Sequence, residues 1–88
     1  MKQIKLTGRE MAVLRAIDYA NGSTGAEIAE RTHIEPEDVV DILNGMCDVG
    51  YVEPNPFVEK VTENDYATRL FEINPSYAQQ LNEALRRR

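Results

Sequence analysis

The sequence has one cysteine and one histidine. A lone Cys47 excludes an internal disulfide and fits a reducing compartment. With only His33 to join it, zinc held by Cys and His is excluded as well. No apolar run approaches the ~20 residues that a membrane span needs. The opening "MKQIKLTGRE" lacks the apolar core of a signal peptide, so the expected setting is the cytoplasm. Repeats, low-complexity tracts and linker-like stretches are missing too, which leaves a single domain over residues 1–88. That length is near the lower end of chains that bury enough surface to fold alone. An apolar share of 42% is ordinary for a globular domain and too high for a disordered one.

Positive charge is scarce where a nucleic-acid module usually has it. The net charge is −5. Between Glu27 and Glu53 the acids are Glu27, Glu30, Glu35, Glu37, Asp38, Asp41, Asp48 and Glu53, against Arg31 alone. Lys2, Lys5, Arg9 and Arg15 lie at the start, Arg86, Arg87 and Arg88 at the end, and besides Arg31 only Lys60 and Arg69 between. Phosphate neutralisation dominates nucleic-acid affinity, and this balance runs against it.

What is present is a series of well-marked helix starts. In "LTGREMAVLRAIDYANG" Thr7 and Glu10 have capping-box spacing, Leu6 and Met11 form a hydrophobic staple, and Asn21-Gly22 supplies a left-handed stop. A first helix is expected over about 7–21. Thr24 and Glu27 repeat the box for a second helix over about 24–32. A third, over about 36–49, has Pro36 at its first position and the buried spacing of Val39, Ile42, Leu43 and Met46. Gly50 ends it. "FVEKVT" and "YATRLFEI", separated by "ENDY", are β-rich runs that predict a hairpin within about 51–73. Asn74-Pro75 opens a last helix, about 75–87, whose terminal arginines suit the helix dipole. The expected core is Leu6, Met11, Leu14, Ile17, Ile28, Ile34, Val39, Ile42, Leu43, Met46, Tyr51, Val52 and Phe71.

This order resembles a small α+β winged helix–turn–helix: a three-helix core, a two- to three-stranded wing and a C-terminal helix. "LTGREMAVLRAI" resembles the family's first helix, and "TGAEIAERTHIEPEDVVDILNGMCDVGYVE" its helix pair and wing entry, with Ile34, Glu35, Pro36 and Gly50-Tyr51-Val52 at the matching steps. The resemblance implies a module of transcription-regulator type. In DNA-binding members the exposed positions of the third helix bond base edges or phosphates. Here they are Glu35, Glu37, Asp38, Val40 and Asp41. Acids at a helix N-terminus stabilise it by about 0.3–1 kcal/mol each. They also make the helix a poor DNA reader.

Val40 and Cys47 are expected to face outward along one side of this helix, with Asn44 between them. Small apolar residues scattered on a surface are common. The alternative is a shallow apolar strip for a protein partner, ringed by acids. The expected interaction residues are therefore Glu37, Asp38, Val40, Asp41, Asn44 and Cys47. Catalytic, cofactor-binding and metal-binding residues are not expected. His33 sits where a turn needs an unusual backbone angle, and acids around Cys47 raise a thiol pKa instead of lowering it.

Two functions compete. In one, the winged helix is a non-enzymatic scaffold whose acidic third helix meets a basic or apolar protein. In the other it binds DNA directly, with Lys2, Lys5, Arg9, Lys60, Arg69 and the arginine tail on phosphates and the third helix uninvolved. Tyr77, Leu81 and Leu85 form a stripe on the last helix that either makes a homodimer or closes the core against the first helix.

Overall fold

The computed structural model describes residues 4–86. Helix α1 (Gly8–Arg15) is followed by strand β1 (Ser23–Thr24), helix α2 (Gly25–Thr32) and helix α3 (Pro36–Asp48). Strands β2 (Val52–Asn55) and β3 (Leu70–Ile73) come next, then a 3-10 turn (Pro75–Tyr77) that leads into α4 (Ala78–Arg86). The strands form one antiparallel sheet in the order β1-β3-β2. This is the α+β winged helix that the sequence predicts.

Both capping boxes are closed. The Thr7 hydroxyl accepts from the Glu10 N–H at 3.2 Å while Glu10 accepts from the Thr7 N–H at 2.9 Å. Thr24 and Glu27 do the same at 3.2 and 2.8 Å. Each box satisfies N–H groups that a helix start leaves bare. His33 ends α2 in the left-handed conformation, φ 58° and ψ 27°, as its place in the turn predicts.

Helix α1 stops at Arg15, short of the expected 21. Its end is set from outside. The Ala16 carbonyl accepts from the Arg31 guanidinium at 2.7 Å and from the Ser23 hydroxyl at 3.2 Å. The Asp18 carboxylate accepts from the N–H groups of Ala20 and Asn21, which turns the chain into β1 at Gly22, φ 75°. These bonds to the Asp18 carboxylate, from Asn21 first and Ala20 next, lower its pKa.

The core joins Leu14, Ile17, Ile28, Val39, Leu43, Met46, Val52 and Phe71, all expected, with Val13, Val61, Ile73 and Leu81. Leu6, Ile34, Ile42 and Tyr51 pack against it half-buried, whereas Met11, also expected in the core, is half-buried outside this cluster. Leu81 is fully buried and closes the protomer's own core, with Tyr77 and Leu85 of the same stripe packed half-buried against it. Tyr77 meets Tyr51 edge-to-face at 5.1 Å, and the Leu85 carbonyl accepts from Arg15 at 2.6 Å.

The wing differs most from expectation. Residues 57–62 form no strand, and the chain between β2 and β3 folds back over the helices. Asn44 holds its middle with two hydrogen bonds: its amide donates to the Val61 carbonyl at 2.9 Å and its oxygen accepts from the Val61 N–H at 2.8 Å. Backbone groups that a hairpin partner would have taken are thus taken by a side chain. Further on, the N–H groups of Gly25 and Ala26 donate to the carbonyls of Arg69 and Ala67, which docks the loop on the start of α2. Gly25 is required there: a side chain would collide with the Tyr66 backbone and ring. No described helix is long and apolar enough to cross a membrane.

Candidate functional site: an acidic third helix

The outward face of α3 is acidic along its length. Glu37, Asp41 and Asp48 are exposed on one side, with Gly45 leaving a gap between the last two. These positions repeat at helical spacing, and α3 contains no Lys or Arg. Glu37 and Asp38 occupy its first turn, where they favour the helix dipole by about 0.3–1 kcal/mol each. Glu35, at the N-cap, makes no side-chain capping bond.

Either flank of this face is already committed to the fold. On one, Asp38 pairs with Arg9 of α1 at 3.1 Å; both side chains are largely exposed, which makes this a pair of about 0–1 kcal/mol. On the other, Asn44 is occupied by Val61, and Val40 is only 7% exposed. The strip expected from Val40, Asn44 and Cys47 is therefore corrected. Val40 is buried, and Asn44 is the clamp that holds the returning wing loop on that flank. Cys47 alone stays half-exposed. Burial, and then the charges of Asp48 and Glu53, push its thiol up to about 11, so it is a protonated apolar group at neutral pH.

The expected phosphate contacts fare unevenly. Arg69 is largely enclosed: it donates to the Pro56 carbonyl and to the Asp65 carboxylate, the latter at 3.0 Å, and so ties the two ends of the wing loop. Its Nε is buried without a partner. Asp65 also accepts from the Thr62 N–H at 3.0 Å; that bond first, and Arg69 next, lower its pKa. Arg9 is paired, while Lys5 and Lys60 are exposed. Lys2, Arg87 and Arg88 lie outside the described residues. Arg31, unassigned by the sequence, is the clamp on the end of α1.

Sequence reasoning also missed a groove beside the acidic face, with Cys47 and Asp48 at one wall and Phe57 and Glu72 at the others. Its signal is long-range, because it depends on which β3 residue lies beside Glu53. Among the described residues no three His, Cys, Asp or Glu side chains are grouped so as to hold a metal ion.

Neither curated proteins nor solved structures yielded a match to the chain. A family model does match, over residues 4–58, which take in α1, α2, α3 and the entry to the wing. That is well over half of the chain, and it covers the helix–turn–helix described above. The chain belongs to the MarR family of winged helix–turn–helix transcription regulators.

Proposed function

We propose that this domain serves gene regulation as a non-enzymatic protein-binding module, and that the acidic face of α3 is its contact surface for a basic or apolar partner. One observation carries the reading: Glu37, Asp41 and Asp48 line the outward side of α3 with no cation on that helix. A phosphate wall against that face meets repulsion of one sign, about 1 kcal/mol per close pair across water and more where water is excluded. Basic side chains of a protein meet attraction there. Glu37, Asp38, Asp41 and Cys47 remain the contact residues, while Val40 and Asn44 work inside the fold.

Family membership favours a second reading, because members of this family bind DNA and often dimerise. In that reading Lys5, Lys60, Lys2 and the arginine tail touch phosphates and α3 stands aside. The engagement of Arg69 and Arg9 within the fold counts against it.

The test is quantitative affinity capture from cell extract, scored for both protein and DNA. Wild type is compared with Glu37→Lys/Asp41→Lys. The protein-binding reading expects a partner retained by wild type and lost by the variant. Retention of DNA by wild type, with no protein sensitive to the substitutions, would overturn it.

A further inference from the structure

A groove of about 590 Å³ opens between the C-terminal part of α3, strand β2 and the start of the wing loop. Cys47, Val52, Pro54 and Val58 give it an apolar floor, and Phe57, 79% exposed, stands at its lip. Asp48, Glu53, Glu59 and Glu72 join Gly50 and Asn55 in the rest of the lining, in which there is no Lys, Arg or His. Glu53 and Glu72 are direct cross-strand partners in the β2–β3 register. Like charges placed opposite each other on an antiparallel pair are destabilising, so the sheet bears a cost that folding does not require. At the floor, burial first and then the charges of Asp48 and Glu53 raise the Cys47 thiol.

We propose that this groove seats a basic segment of a partner protein, with an aliphatic or aromatic side chain on Phe57 and Val58 and flanking Arg or Lys side chains on Glu53 and Glu72. The proposal rests on the protein-binding reading above and names where the partner anchors. Asp48 belongs both to the groove and to the outward face of α3, so one partner can cover the two surfaces together. Charge complementarity selects a cationic occupant, and the apolar floor selects one with a hydrophobic anchor. A small molecule fits less well, because small-molecule sites bury most of their ligand while the largest apolar side chain here stands open to solvent. An extended chain laid across the lip buries Phe57 as it binds. Nucleic acid is repelled by the same carboxylates.

The test is selection of random linear peptides on the immobilised chain, followed by fluorescence polarisation with synthetic copies of the enriched sequences. Three variants are compared with wild type: Phe57→Ala, Glu53→Gln/Glu72→Gln, and Glu37→Gln/Asp41→Gln. Phe57 is a surface residue and neutralising the glutamate pair relieves repulsion, so folding survives; circular dichroism confirms it. Enriched peptides should set Arg or Lys beside an aliphatic or aromatic residue. Their affinity should fall about tenfold or more with Phe57→Ala, as expected of an interface anchor. It should fall with Glu53→Gln/Glu72→Gln and with added salt as well, and fall less with Glu37→Gln/Asp41→Gln, which lie outside the groove. No enrichment, enrichment without basic residues, or affinity indifferent to the groove variants overturns the proposal. Loss confined to Glu37→Gln/Asp41→Gln also overturns it, yet leaves the protein-binding reading standing. Benzyltrimethylammonium binding as tightly as the peptides would mark a small-molecule site and overturn it too.

Discussion

Asn44→Ala removes the clamp between α3 and the wing loop. Two hydrogen bonds go, at 2.9 and 2.8 Å, and both polar groups of the Val61 backbone lose their partner. Val61 is 1% exposed, so water does not readily replace what is lost. Each buried group left unpaired costs about 1–3 kcal/mol, and the half-exposed Asn44 site lets some solvent in, which places the sum at the low end, about 2–3 kcal/mol. For a domain of this size that is a fall in Tm of roughly 10–20 °C. Urea denaturation followed by circular dichroism reads the free energy, and hydrogen exchange at the Val61 amide reads the local release. Asn44→Asp should do as much harm at neutral pH, because a carboxylate accepts from the Val61 N–H but faces the Val61 carbonyl with no proton to donate. Acidification should recover part of that loss as the carboxyl gains its proton. A change within about 0.5 kcal/mol for Asn44→Ala, as at an ordinary surface site, would refute the docked loop and return Asn44 to the solvent.

Leu81→Ala should cost about 2–5 kcal/mol through a core cavity, and analytical denaturation at several protein concentrations should give the same loss at each. A loss that grows on dilution would place Leu81 at an interface between copies. Cys47 should alkylate with iodoacetamide far more slowly than a free thiol at neutral pH, with its rate rising towards a midpoint near 11; Glu53→Gln should bring that midpoint down. Asp65, with its pKa lowered by the fold, contributes stability that is present above the ordinary carboxylate range near about 4 and lost as pH falls through its folded value. Acid titration of Asp65→Asn should therefore show a shallower loss of stability on that limb than wild type.

The parts of the fold legible in the sequence are the parts decided locally. Thr7 with Glu10, and Thr24 with Glu27, act within one helical turn, so spacing alone reveals them. The same holds for Pro36 opening α3 and for His33 in the turn before it. What stayed hidden was settled by partners far along the chain. The end of α1 depends on Arg31 reaching back to the Ala16 carbonyl, while Asn21-Gly22 offered a plausible later stop. "FVEKVT" has a strand's composition, yet Asn44 takes the Val61 backbone from a distance of 17 residues and leaves no ladder for it to join. With Asn44 engaged by that loop and Val40 buried, the expected contact strip disappears. Arg69 looks like a free wing cation until Pro56 and Asp65 converge on it. The acids of α3 were legible throughout, because a helix that faces water keeps its sequence pattern on the surface.

That face is also where the account is most exposed to test. Glu37→Lys/Asp41→Lys swings the local charge by four units, from −1 to +1 at each of two exposed sites, and leaves the core and the Arg9–Asp38 pair alone. Fluorescence anisotropy on labelled generic duplex DNA, across a salt series, measures both proteins. Wild type should bind weakly even at low salt, and the variant should gain affinity that falls with a log–log salt slope of about −2 for two new phosphate contacts. Submicromolar binding of duplex DNA by wild type at physiological salt, with no gain in the variant, would contradict the claim that the charge of α3 keeps this domain off DNA.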